Sequence, residues 1–246
     1  MASSNSGEPR RRGPSDIPDV PGRPNTSNRP GEPVLDTMIL QAFGFGHPTG
    51  IETLLQVLQA ERARFPAEVY NGETLPLAED NEDLSEEDLS EEDLSELALG
   101  LGYAERQIRT RPKAQAGRFE GWIENASQLE EHLRGGTLEI DPLRTEELPE
   151  RGDLMETYGI GKGEAACLVL ARRHGAPAVF VSSDQEACEV AGEISVPHTT
   201  IRDLLERWVN VFSPPVEDFD SLTHGLRQAR FDPGEDFLTS LRKRLE

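Results

Sequence analysis

The stretch Gly159-Ile-Gly-Lys-Gly-Glu-Ala-Ala-Cys-Leu-Val-Leu-Ala171, followed by Ala178-Val-Phe-Val-Ser-Ser-Asp184, decides how the chain folds. Glycines open it, and Glu164 falls in the first turn of an apolar helix. Arg172-Arg-His-Gly-Ala-Pro177 then leads into a β-branched strand that ends at Asp184. A helix that delivers the chain to a strand with a carboxylate at its end is how α/β folds bring acids to one edge of a sheet. Upstream, Val34 to Leu40 reads as a second apolar strand with Asp36 within it. Three acids on elements that converge on one edge suggest a divalent-metal site.

Composition bounds the rest. The chain has 246 residues and 35% hydrophobic content, concentrated between Glu32 and Phe65 and between Gly117 and Val211. No run approaches the roughly 20 apolar residues of a membrane span, and no apolar signal core opens the chain. The expectation is a cytoplasmic protein with no membrane partner. Cys167 and Cys188 are too few for a disulfide framework and lack metal-knuckle spacing, so they read as reduced thiols. The net charge is −21, and lysine occurs only as Lys113, Lys162 and Lys243. Such an acidic, lysine-poor surface suits a halophile's salt-rich cytoplasm, where repulsion is screened over about 3 Å at 1 M. A GC-rich genome with an acidic insert gives the same composition. Either way the global field repels nucleic acid, and any contact with it must be local or salt-assisted.

Residues 1–31 are Ser, Pro, Gly, Asn and Arg with almost no apolar side chains, which reads as a disordered tail. The domain is expected over 32–212. Thr49 and Glu52 suggest a capping box for a helix from Ile51 to about Arg64. Phe65 to Glu73 is a Pro-marked entry to a further helix or turn. Glu-Asp-Leu-Ser-Glu then repeats from Glu82, Glu87 and Glu92, within an acidic insertion at about 79–97. At about 100° per residue its leucines spiral and cannot bury one face. Arg106 to Arg118 is the densest basic segment and the candidate for a local phosphate contact.

Phe119 to Leu133 has the spacing of an amphipathic helix that stops at Gly135-Gly136, before a short strand Thr137 to Ile140. Arg144 to Tyr158 is helical in tendency and expected to break at Pro149. Ser183 with Glu186 is expected to cap a helix from about Gln185 to Gly192. Ser195 to His198 reads as an edge strand and Thr199 to Val211 as a helix with Leu204, Leu205 and Trp208 inward. Ser213-Pro-Pro215 is expected to end the compact part, with 213–246 a C-terminal helical extension, either an appended helix or a loosely docked tail. Strands alternating with helices imply an α/β fold, a three-layer sandwich around a central parallel sheet.

The site follows from the acids. Two carboxylates about 4 Å apart repel by roughly 4 kcal/mol at an effective dielectric of about 20. Asp36, Glu164 and Asp184 together therefore need protonation, an arginine or a divalent cation, and hard oxygen ligands favour Mg²⁺ or Mn²⁺. Taken singly, each acid is more readily a structural residue: Asp184 a helix cap, Glu164 a dipole-favoured first-turn glutamate and Asp36 a turn aspartate; the pattern of the three shifts the balance. The five histidines show no ligand spacing and read as structural or surface groups. Gly161-Lys162 lacks the rest of a phosphate loop.

The pattern resembles a known family. Leu35-Asp-Thr-Met-Ile-Leu40 is similar to the Leu-Asp-Thr-Asn opening of PIN domains, and Pro66-Ala-Glu-Val69 to the Pro-x-x-Val that introduces their second acid. Gly161 to Ala171 resembles the Gly-Glu-x-Glu-Ala segment of one subgroup, and Val181 to Cys188 its Asp-Asp-Arg-x-Ala-Arg strand end. His198-Thr-Thr-Ile201 to Leu205 resembles the Gly-Thr-x-x-Leu-Leu that follows. The resemblance spans roughly Val34 to Val209. It implies a Mg²⁺- or Mn²⁺-dependent ribonuclease, often a toxin with an antitoxin partner and commonly a homodimer. Asp36, Glu164 and Asp184 would be catalytic and hold the metal with Glu73. Ser182, Ser183 and Thr37 would be polar neighbours toward RNA. Departures are Met38 for asparagine, Gly72 where the second acid belongs (with Glu73 or Glu68 as substitutes), Ala166 for the second glutamate, and Cys188 near an expected arginine. They motivate the alternative, a catalytically inactive module that binds nucleic acid or protein.

Overall fold

A computed structural model describes residues 32–71, 121, 122, 124, 125, 128, 129, 131–229 and 231–246. Among these, five parallel strands form one sheet in the order β3-β2-β1-β4-β5. The strands are β1 (Pro33–Leu35), β2 (Ala63–Phe65), β3 (Leu138–Ile140), β4 (Val179–Val181) and β5 (His198–Thr199). β1 is central, and its Pro33, Val34 and Leu35 lie opposite Val179, Phe180 and Val181 of β4. Val34, Leu35, Phe180 and Val181 are fully buried, as side chains of a parallel sheet covered on both faces must be. The expected α/β architecture with a central parallel sheet is thus the one observed, and the flanking helices make it a three-layer arrangement.

The helices are α1 (Thr37–Gly46), α2 (Gly50–Leu58), α3 (Ala67–Asn71), α4 (Leu148–Tyr158), α5 (Lys162–His174), α6 (Gln185–Glu193), α7 (Ile201–Arg207), α8 (Val216–Gln228) and α9 (Glu235–Arg242). The apolar stretch around Cys167 forms α5. Seven consecutive residues, Ala165 to Ala171, are buried, so this helix has no solvent face in its middle. It packs on β1 and β4, with α3, α4 and α6 around it. Alanines at 165, 166 and 171 let those neighbours approach closely, and Gly175, at φ +72, ends the helix.

Several local expectations change. The run Val34 to Leu40 is not one strand: it turns at Asp36, whose carboxylate caps α1, so Thr37 to Leu40 is helical. A short apolar run satisfies both periods, and the cap decides between them. The helix expected to reach Arg64 ends at Leu58, with Gln59 left-handed at φ 56, and Ala63–Phe65 is an additional strand. Thr49 precedes α2 without a side-chain cap bond. Pro149 does not break a helix. It sits in the first turn of α4, where its missing N–H costs nothing. A 3₁₀ turn, Thr145–Glu147, precedes it. Asp184, not Ser183, caps α6. The edge strand begins at His198 rather than ending there.

The described residues of 121–135 are helical, and Gly136 turns at φ +73 before β3. Leu204, Leu205 and Trp208 face inward as expected, although Trp208–Phe212 winds as a π-helix. The largest difference lies after Ser213. Phe219, Leu222 and Leu226 of α8 and Leu238 and Leu241 of α9 belong to the central hydrophobic core. The segment is not loosely docked, because α8 lies against α1 backbone to backbone at Gly225 and Gly46.

Candidate metal-binding acidic site

In a parallel α/β sheet, the crevice for a ligand forms outside the carboxyl ends of the strands where the strand order reverses. Here that point lies between β1 and β4, the two strands that end at Asp36 and at Ser182 to Asp184. Asp36 follows Leu35 directly and starts α1. Its Oδ1 accepts from Ile39 N at 2.8 Å, and its own N–H donates to the Val181 carbonyl at 3.2 Å, tying it to β4.

Ser182 joins the acids. It is fully buried; its hydroxyl donates to Asp36 Oδ2 and accepts from Asp184 N at 3.0 Å. One hydroxyl therefore orients Asp36 and fixes the turn that presents Asp184. The Asp184 carboxylate spends Oδ1 on Ala187 N at 2.8 Å, at the start of α6. Glu164, three residues into α5, reaches back to Gly161 N at 2.7 Å. Gly163 of α5 faces Thr37 and Val69: a Cβ on it would lie 3.8 Å from both Thr37 Oγ1 and a Val69 methyl, an ordinary contact. The amino ends of α1, α5 and α6 thus each hold an acid, where the helix dipole favours negative charge.

Asp36 is the electrostatic focus. Burial pushes its pKa from 3.8 up to about 7. The bonds from Ser182 and Ile39 N oppose that rise, and the charges of Glu164 and Asp184 add to it. The nearby thiols report the same field. Burial pushes Cys188 up to about 11, with Asp36 and Asp184 contributing, and raises Cys167 with help from Asp36, Glu164 and Glu68. Both cysteines are free and buried; Cys167 donates to the Leu35 carbonyl at 3.4 Å.

The structure brings Asp36, Glu164, Asp184, Ser182 and Thr37 to one edge. Ser183 is there too, and its hydroxyl is buried without a hydrogen-bond partner. Glu68 does not serve as a substitute acid: Arg151 of α4 pairs with it at 2.7 Å. Glu73 and Gly72 lie outside the described residues, as do the acidic repeat and the basic segment 106–118. Ala166 faces the core. The bridging role of Ser182 was not separable from Ser183 in the sequence, because adjacent serines at a strand end point to opposite sides and only the pleat chooses between them.

An all-oxygen donor set, a buried carboxylate pushed toward protonation by two others, and an orphaned serine hydroxyl fit a hard divalent cation. Among the described residues, no three ligating side chains are gathered around a single point. Glu164 and Asp184 are instead drawn onto the backbone N–H groups of their helices. Among the described residues, no helix is long and apolar enough to cross a membrane. Comparison with family models, curated proteins and solved structures gives no significant match.

Proposed function

We propose that the chain is a PIN-like endoribonuclease that cleaves RNA phosphodiesters with Mg²⁺ or Mn²⁺, the toxin of a toxin–antitoxin pair. The observation that carries this reading is Asp36: buried at the switch point of a parallel sheet, with Glu164 and Asp184 adding negative charge around it. Asp36, Glu164 and Asp184 would hold the ion. When bound, it would supply Lewis acidity for water and for a phosphoryl oxygen. Ser182 keeps Asp36 oriented and favours its charged form. The amino ends of α1, α5 and α6 add positive potential where a phosphate would sit. The test is cleavage of a mixed RNA pool with Mn²⁺, at low and multimolar KCl, by wild type, Asp36→Asn and Asp184→Asn. Cleavage lost in both folded variants supports the proposal; undiminished cleavage by Asp36→Asn refutes it.

A second reading rests on a specific observation. Each acid already satisfies a helix start, and no three ligands are assembled around one point among the described residues. On this reading the chain is an inactive PIN-like module that binds nucleic acid or protein. Failure of the folded protein to bind Mn²⁺ or to turn over RNA favours it, and stoichiometric Mn²⁺ binding together with RNA turnover rules it out.

A further inference from the structure

A second concavity, about 330 Å³ in volume, opens at the far end of α1 from Asp36. A ten-residue helix is roughly 15 Å long, so the two sites are separate. The volume is within the range of small-molecule sites. Four elements build it: the connector from α1 to α2, α2 itself with Thr53 and Gln56, the π-helical turn Trp208–Phe212, and the start of α8. The π turn is rare geometry that recurs at functional sites, and Ser213 leaves it in the left-handed region at φ 44 without being glycine. Together they bring half-buried Phe212 and the edge of Trp208, which is 6% exposed, to the lining. Beneath, Thr53, Trp208 and Leu222 also line a small apolar void of about 10 Å³, so the floor is apolar.

His47 Nε2 lies 3.0 Å from Ser221 Oγ, a spacing that invites a nucleophile–base reading. The other ring nitrogen excludes it. His47 Nδ1 receives the Thr49 N–H at 3.3 Å, and a backbone N–H can only donate. The ring proton therefore sits on Nε2 and is donated to Ser221, which keeps its own. The pair is a fixed polar wall, and burial lowers the His47 pKa against the charges of Asp218 and Glu52, so the ring is neutral at pH 7.

Charge then selects the ligand. Among the described residues that line the cleft, none is lysine or arginine, and Asp218 supplies a carboxylate. Phosphates and carboxylates are disfavoured. A flat face against Phe212, a donor toward Asp218 and a donor–acceptor pair for the Gln56 amide describe a nitrogen heterocycle. We infer that this cleft binds an unphosphorylated nucleoside, with its base against Phe212 and its donors on Asp218 and Gln56. The site works without the acidic edge and without metal.

The test is calorimetric titration of the full chain, in EDTA, with adenosine, cytidine, guanosine and uridine and their 5′-monophosphates. At least one nucleoside is expected to bind at a single site, with its monophosphate about tenfold weaker. Asp218 and Gln56 are exposed, so Asp218→Asn and Gln56→Ala should fold normally and weaken binding about tenfold. Asp36→Asn should leave it unchanged. Any of four results overturns the inference: no nucleoside binding at millimolar concentration; a monophosphate bound as tightly as its nucleoside; displacement of the nucleoside by spermidine, which would mean that charge alone fills the cleft; or binding lost in Asp36→Asn but kept in both cleft variants.

Discussion

Asp36 concentrates the conflict between stability and function in one side chain. Its pKa is 3.8 when exposed and about 7 in the folded protein, so between these values the native state holds a proton that the unfolded state has lost. The sign is therefore that metal-free stability falls as pH rises from about 4 to 7, by about 4 kcal/mol in all at about 1.4 kcal/mol per tenfold. Asn caps a helix as well as Asp does, so Asp36→Asn should keep α1 and remove this slope. Urea midpoints at pH 5 and pH 7.5 in EDTA check it; a wild type equally stable at both would refute the assignment. Mn²⁺ should raise the melting temperature of wild type at pH 7.5 and not that of Asp36→Asn. Ser182→Ala removes a bond that favours charged Asp36 and leaves Asp184 N without its partner. The expected results are a loss of about 1–3 kcal/mol, read from urea denaturation, and an RNA-cleavage pH profile displaced upward. A profile that does not move would leave Ser182 a purely structural residue.

At the scale of elements, the contact between α1 and α8 controls the integrity of the site, because α1 begins at Asp36. The two helices meet at paired glycines: a Cβ on Gly225 would lie 2.0 Å from the Gly46 carbonyl oxygen, which is backbone and cannot swing aside. Gly225→Ala should therefore cost about 3 kcal/mol, seen as a lower urea midpoint. A far smaller loss would show that α8 can slide on α1. At the opposite end of α5, Arg173 pairs with Asp141 and with Glu147, and His174 Nε2 lies 2.9 Å from Asp141 Oδ2. Burial acts to raise the Asp141 pKa, but the bonds and charges of His174 and Arg173 outweigh it and hold the carboxyl below its ordinary value. This network anchors the carboxyl end of α5 to the end of β3, so that Glu164 at its amino end is carried by a helix held along its length.

At the scale of the molecule, the carboxyl-terminal helices and the net charge matter most. Leu226 and Leu241 are fully buried and Phe219, Leu222 and Leu238 nearly so, so a chain ending at Phe212 would expose a core face. Burying each such side chain contributes about 1.5–3 kcal/mol, a sum comparable with the 5–15 kcal/mol stability of a whole domain. Truncation after Phe212 should give a protein without a cooperative thermal transition; a sharp transition would show the segment to be dispensable. The net charge of −21 opposes compaction. Exposed pairs such as Arg62–Glu32 and Arg242–Asp220 contribute about 0–1 kcal/mol each, so salt removes less attraction than repulsion. The melting temperature should rise with KCl from 0.1 to 2 M, and a fall would oppose the halophilic reading.

The amino-acid order by itself determined that α5 is a central buried helix, because an unbroken apolar run bounded by glycines has few other ways to leave water. It also determined the alternation of strands and helices, and hence the parallel sheet. Asp36, Glu164 and Asp184 were legible as candidate acids because each stands at an element boundary with turn or cap chemistry. Tertiary structure alone decided the rest. The split of Val34 to Leu40 at Asp36 depends on pairing Val34 and Leu35 with β4, which short apolar periodicity cannot express. The pleat chose Ser182 over Ser183, and Arg151, far along the chain, took Glu68 out of the acid set. Burial of α8 and α9 needed Gly46 and Gly225 to meet, a contact between residues so distant in sequence that no local pattern records it.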